Sequence, residues 1–256
     1  MSGEMKSAGW LCGWVALAAS PLVHAVECSH VTASGATFTV CRADVRRDDL
    51  HVFLNDESGK PLRTFDALQR SLQAQGKRLA FAMNAGMFHA DHRPVGLLIE
   101  QHRQVAPLNA ADGKGNFFLK PNGVFFIAAK GAGVVDAAKF PQVPADVVLA
   151  TQSGPLLVID GAIHPRLDLN STSRYIRNGV GVDTSGTVVF AASTDVLTLY
   201  EFATIFRDVL KCPNALYLDG SVSSVYVPSL KEHIQRADLG PIIAVVDTAP
   251  STTSTK

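Results

Sequence analysis

The sequence predicts an α+β protein: a mixed or largely antiparallel β-sheet core with a few covering helices, in a single domain. Three observations carry this. Short apolar runs bounded by turn residues recur along the chain, among them 79–83, 96–100, 123–128, 147–151, 155–159, 179–183, 187–193 and 242–246. Asp160-Gly161 and the turn from Asp183 to Gly186 each separate two such runs at hairpin spacing, which argues for antiparallel pairing. Only two amphipathic helices are readable, and strands do not alternate regularly with helices, so a doubly wound parallel sheet is disfavoured.

From the N-terminus, Lys6, an apolar stretch from Trp10 to Leu22 and the small-residue site Val23-His24-Ala25 together read as an export signal over residues 1–25. The stretch is shorter than the ~20 residues a membrane span needs, and an uncleaved anchor is the alternative. Cleavage at that site implies a periplasmic or secreted protein whose domain covers residues 26–247, with no stable membrane insertion. Cys28 and Cys41 flank a turn at Ala33-Ser34-Gly35, so a hairpin would place them opposite each other as a disulfide, with two buried thiols as the alternative. The first helix runs from Thr64 to Gln75, aligns Phe65, Leu68 and Leu72, and stops at Gly76. A second opens at Thr198, where Glu201 completes a capping box, turns Phe202, Ile205, Phe206, Val209 and Leu210 inward, and ends before Pro213. Cys212, at its end, reads as a small apolar residue. The tail, 248–256, is low in complexity and expected to be disordered.

Lysines and arginines number 23 against 23 acids, and the balance stays at zero once the leader is removed. No polyanion-binding surface follows from such a composition, and nucleic acid is not an expected partner. A local anion site remains compatible with it.

The most informative stretch runs from Asn214 to Ser224. Ala215 to Leu218 are apolar without alternation, as in a strand buried on both faces, and Gly220 lets the backbone turn directly after Asp219. Asp219 is thereby placed at a strand's C-terminal mouth, followed by the hydroxyls of Ser221, Ser223 and Ser224 and by backbone N–H groups able to form an anion-accepting nest. The plainer reading is an Asp-Gly turn whose carboxylate bonds its own backbone. Four more polar turns adjoin apolar strands, bearing Asn84 and Gly86, Gly113 to Asn116, Gln152 and Ser153, and Arg177 and Asn178. Side-chain amides suit sugar hydroxyls, and an arginine fork suits phosphate, although each turn taken alone has a structural explanation. Five such turns in one sheet domain point to a shared mouth.

Familiar enzyme templates are missing: there is no G-x-S-x-G elbow, no H-E-x-x-H and no phosphate-binding Walker sequence. His89, Asp91 and His92 form a weak metal pattern that reads more simply as a solvated loop, and His164 and His233 read as surface residues.

Six motifs in order carry a resemblance: Ala82 to Phe88, Pro94 to Leu97, Gly115 to Phe117 with Lys120 to Val124, Thr151 to Pro155, Arg177 to Gly181, and Asn214 to Ser221. As a set they resemble the phosphodiester glycosidase family, which includes the enzyme that uncovers phosphomannose by removing N-acetylglucosamine. The resemblance implies a hydrolase that cleaves a glycosyl phosphodiester to free sugar and a phosphate monoester. It implies Asp219 as nucleophile or water-activating base, Arg177 and the turn of Gly220, Ser221, Ser223 and Ser224 as stabilisers of phosphate charge, and Asn84, Gly86, Asn122, Gln152, Ser153 and Asn178 as further substrate-binding positions. Because phosphate monoester is already a good leaving group, one carboxylate with an anion hole would suffice. The chain departs from the family at Val222, where related members carry glycine, and a side chain there would narrow the phosphate pocket. No cofactor is expected. Two alternatives stay open: a metal-assisted hydrolase using Asp219, Asp91 and His89 around a divalent cation, and an envelope glycan-binding module without turnover.

Overall fold

The computed structural model describes residues 26–142 and 146–248. The predicted leader lies outside them, as does the tail apart from Thr248. Seventeen strands are present among the described residues, numbered in chain order and arranged in three sheets. The first sheet has the spatial order β1 (Glu27–Ala33), β2 (Ala36–Ala43), β13 (Val188–Ser193), β12 (Asn178–Val182), β14 (Asn214–Tyr217), β10 (Leu156–Ile159), β11 (Ala162–Ile163). The second runs β16 (Glu232–Ile234), β15 (Val225–Val227), β4 (Lys77–Asn84), β17 (Ile242–Thr248), β3 (Asp49–Phe53). The third runs β6 (Arg103–Ala106), β5 (Leu98–Glu100), β9 (Val147–Ser153), β7 (Gly123–Ala128), β8 (Gly131–Asp136). Every ladder between these strands is antiparallel, so the mixed pairing allowed by the sequence does not occur in them.

All three sheets turn one face to a common core. Phe81 of β4, Phe125 of β7 and Phe190 of β13 meet there, with ring centroids 4.9 Å apart for Phe81 and Phe190 and 6.1 Å for Phe125 and Phe190. Leu149, Leu216, Val225 and Val245 complete the contact between sheets. Burying each such side chain stabilises the fold by about 1.5–3 kcal/mol, which is why three short-stranded sheets hold together as one body.

Two helices cover outer faces. Helix α1 (Phe65–Gln73) is capped by Thr64, whose hydroxyl accepts from the Ala67 N–H, and buries Phe65, Leu68 and Leu72 against the second sheet. Helix α2 (Leu199–Thr204) has the expected reciprocal capping box between Thr198 and Glu201 and packs Phe202 on the first sheet, joined there by Phe206 just beyond its end. It then widens into a π-helical turn over Ile205–Val209. The wider turn rotates the following residues out of α-helical register, and Val209, expected inside, is 38% exposed.

The hairpin of β1 and β2 sets Cys28 opposite Cys41, and the two form a disulfide. Cys212 is buried, and burial pushes its thiol up to about 12. The predicted tail begins one residue early: Thr248 pairs with Lys77 as the last residue of β17.

Candidate functional site

Strand β14 ends at Tyr217, and Leu218 and Asp219 carry the chain off the first sheet. Asp219 is half-buried, and one carboxylate oxygen, Oδ1, accepts from the Ser221 N–H at 3.1 Å and from the Ser221 hydroxyl at 2.5 Å. The self-capped turn of the plainer reading is therefore present. The other oxygen, Oδ2, has no hydrogen-bond donor among the described residues. One oxygen fixes the carboxylate while its second stays available for chemistry.

Asp219 is tied to the second sheet through Asn84, the last residue of β4. Asn84 Nδ2 donates to the Asp219 carbonyl at 3.0 Å, and its Oδ1 accepts from the Ser224 N–H at 2.9 Å and from Asn178 Nδ2 at 2.7 Å. The Ser224 amide, which is only a donor, settles which end of Asn84 is oxygen. Three of the segments singled out in the sequence thus meet in one polar network: Asn84, Asn178, and Asp219 with Ser224, of which only Asp219 is half-buried. Ser224 Oγ accepts in turn from the Arg236 N–H at 3.0 Å, which brings the exposed Arg236, unmarked by any sequence motif, beside the network.

The anion nest foreseen at 220–224 is not formed. Of its amides, Gly220 donates to Tyr217 Oη, Ser221 to Asp219, Ser223 to the Gly220 carbonyl and Ser224 to Asn84, so four N–H groups are already spent. A 3₁₀ turn over Gly220–Val222 closes the segment on itself instead. Val222 packs its side chain towards the cluster of Phe65 and Leu239 under α1. Its departure from glycine is absorbed by packing.

Arg177 is only 2% exposed. Its Nε donates to the Leu197 carbonyl at 3.0 Å, Nη2 to the Ser173 carbonyl at 2.9 Å and Nη1 to Tyr217 Oη at 3.3 Å. Its guanidinium carbon lies 5.2 Å from the Tyr175 ring centroid and 5.5 Å from that of Tyr217. The arginine is a buried cation with no carboxylate partner among the described residues, held by three of its five N–H groups, and two remain. The free phosphate fork read from sequence is thus largely committed to the protein.

A second knot gathers the remaining positions. Gln152 Oε1 accepts from the Leu97 and Asn109 N–H groups at 3.0 and 2.9 Å, and Nε2 donates to the Asn109 carbonyl at 2.8 Å. This amide pins loops together; three of its bonds go to backbone. Asn122 Nδ2 donates to the Phe117 carbonyl at 2.9 Å. Gly86 donates to Thr151 Oγ1 at 3.0 Å, and a Cβ there would fall on the Gln152 carbonyl, so the glycine serves the close approach of its loop to β9. Ser153 Oγ and Asn178 Oδ1 are fully buried and lack partners among the described residues. Such orphaned atoms are costly and accept a water or a ligand readily.

Elsewhere, His164 is buried rather than superficial; its Nδ1 accepts from the Arg166 N–H at 3.1 Å, and burial depresses its pKa. His233 is exposed, as read. Asp91 pairs with Arg93 at 2.7 Å, and among the described residues no group of three or more His, Cys, Asp or Glu side chains could hold a metal ion. Asp219, Asp91 and His89 therefore do not converge as a metal-assisted site would require.

Comparison with known proteins decides the family. A model of the phosphodiester glycosidase family matches residues 77–245, which span β4 to β17 and include all the network residues above. The chain belongs to the phosphodiester glycosidase family. An uncharacterised relative from Escherichia coli, YigE, is 35% identical over 216 residues, covering 84% of each chain. The catalytic domain of zebrafish N-acetylglucosamine-1-phosphodiester α-N-acetylglucosaminidase, solved in a form auto-inhibited by its pro-peptide, shares the fold. Its TM-score is 0.60 at 16% identity, over 89% of this chain and 84% of that one. A putative exported protein from Burkholderia pseudomallei is similar at TM-score 0.50 and 11% identity, over 82% of this chain and 74% of that one. Within this member of the family, Asp219, Asn84, Asn178 and Ser224 form one polar network inside the matched region, while Gln152 and Gly86 hold neighbouring loops.

Proposed function

We propose that this protein is an exported hydrolase, periplasmic or secreted, that cleaves the glycosidic bond of a glycosyl phosphodiester to free sugar and a phosphate monoester. The observation that carries this reading is the convergence of three motif segments on one polar network, with Asp219 presenting a carboxylate oxygen that no donor occupies among the described residues. In this reading Asp219 either attacks the anomeric carbon, forming a glycosyl ester that water then hydrolyses to free sugar and the regenerated carboxylate, or takes a proton from a water that attacks the same carbon. The leaving phosphate takes the bonding electrons and needs little protonation. Arg177 supplies positive field from a fixed position, and Asn178 holds Asn84 beside Asp219 through its side-chain amide. The export assignment rests on the leader pattern and accords with the Cys28–Cys41 disulfide, since such bonds persist in oxidising compartments.

The test is direct. Incubating the purified protein with UDP-N-acetylglucosamine and a panel of other glycosyl phosphodiesters is expected to release free sugar from at least one. Thermal stabilisation by a diester with no product from any would establish a glycan-binding module instead.

A further inference from the structure

We propose that Tyr217 is a positioning residue of this site: its buried hydroxyl couples the Arg177 guanidinium to the peptide unit that carries Asp219. The proposal rests on the assignment of Asp219 and Arg177 given above.

Tyr217 belongs to the face of β14 that α2 covers, together with Ala215, Phe202 and Phe206. At 2% exposure, packing alone would be served by phenylalanine. A hydroxyl buried there needs partners to offset its desolvation. It has two, and both are donors: the Gly220 N–H at 2.9 Å and Arg177 Nη1 at 3.3 Å. Burial pushes the phenol pKa up, the charge of Arg177 opposes that rise and the charge of Asp219 adds to it, so the hydroxyl stays protonated between the two charged groups.

The geometry gives this oxygen a specific task. The Gly220 N–H and the Asp219 carbonyl are the two ends of one peptide group. Tyr217 holds the N–H end and Asn84 the carbonyl end, at 2.9 and 3.0 Å, so that single peptide plane is clamped from two different sheets. With the plane fixed, one of the two peptide groups that flank the Asp219 Cα is held, which restricts the direction in which the side chain leaves the backbone. Gly220 is required for the approach, because a Cβ there would meet the Tyr217 hydroxyl and the Ile176 carbonyl. On its other side the same hydroxyl anchors one arm of Arg177, whose remaining arms are held by Leu197 and Ser173. One oxygen therefore sets the carboxylate and the cation relative to each other.

Tyr217→Phe keeps the ring, its packing and its contact with Arg177, and removes only the clamp. On the glycosyl phosphodiester that the parent hydrolyses, kcat is expected to fall roughly tenfold to a hundredfold, as for loss of a hydrogen bond to a charged group, with KM held within about threefold. In parallel, hydrogen exchange at the Gly220 amide is expected to be slow in the parent and faster in the folded variant. A variant with parental kcat, or one changed in KM alone, would overturn the proposal while leaving Asp219 in its role. If the parent hydrolyses no diester, the functional assignment fails, and exchange then decides the clamp. An unprotected Gly220 amide in the parent, or one unaffected by the substitution, refutes it; protection lost on substitution upholds it.

Discussion

Asp219 shows how one residue satisfies two descriptions that seem opposed in sequence. Its Oδ1 closes a local turn with Ser221, and its Oδ2 is left without a donor among the described residues. The turn is the device that aims the free oxygen. Val222 is the contrasting case: read from sequence as a side chain that would narrow the pocket, it is partly buried and packs against the apolar cluster under α1. Val222→Gly is therefore expected to lower stability by about 1–2 kcal/mol, from lost burial and a looser unfolded chain, while leaving preference among leaving groups unchanged. Urea unfolding together with relative kcat/KM on two diesters checks both halves. What sequence conveyed at this scale was the identity of the network residues, since Asn84, Asn178 and Asp219 stand in motifs and Ser224 closes the stretch that Asp219 belongs to. What it could not convey was how their hydrogen-bonding capacity is spent. The amides of Gly220 to Ser224 look free in a one-dimensional reading, and so does the side chain of Gln152, because their partners are set by how the chain folds back: a 3₁₀ turn and the Tyr217 hydroxyl for Gly220, Ser221 and Ser223, Asn84 of the second sheet for Ser224, and the backbone of Leu97 and Asn109 for Gln152. Tyr217 escaped notice for the same reason: in an apolar strand a tyrosine reads as core.

Among the elements, those defined by local chemistry were legible. The capping box at Thr198, the turn at Asp160-Gly161 with both residues at positive φ, and the cysteine pairing across a hairpin are each set by residues close in sequence. Strand β8 was not, since Gly131, Ala132 and Gly133 have little β propensity and are held in place by pairing with β7. The π-helical turn after α2 was also invisible, being a response to packing rather than to pattern. The disulfide closes a short loop with a sequence separation of 13, and Cys28→Ser with Cys41→Ser is expected to cost about 3 kcal/mol. A matching fall in the urea midpoint of the parent on adding reductant is the check. Because the pair lies in the outermost hairpin, at one end of the first sheet, the double variant is expected to retain turnover.

For the whole molecule, the α+β class followed from turn spacing and the scarcity of helices, whereas the division into three sheets around a common phenylalanine core did not. That division depends on contacts such as Phe81 with Phe190, which are far apart in sequence. It also determines the site, which lies where the first and second sheets meet through Asn84 and Asp219. Stability should carry a signature of buried His164. Its pKa is lowered by burial in the folded state, so its contribution is present above its ordinary value of 6.5 and is lost as pH falls through the lowered value. Urea unfolding at a series of pH values from 8 downwards is expected to show a decline in acid that is smaller in His164→Gln. The central claim concerns the carboxylate. On a glycosyl phosphodiester hydrolysed by the parent, a normally folded Asp219→Asn protein is expected to lose kcat by about a thousandfold, as for removal of a catalytic nucleophile or base. Hydrolysis by that variant at the parental rate would contradict the account.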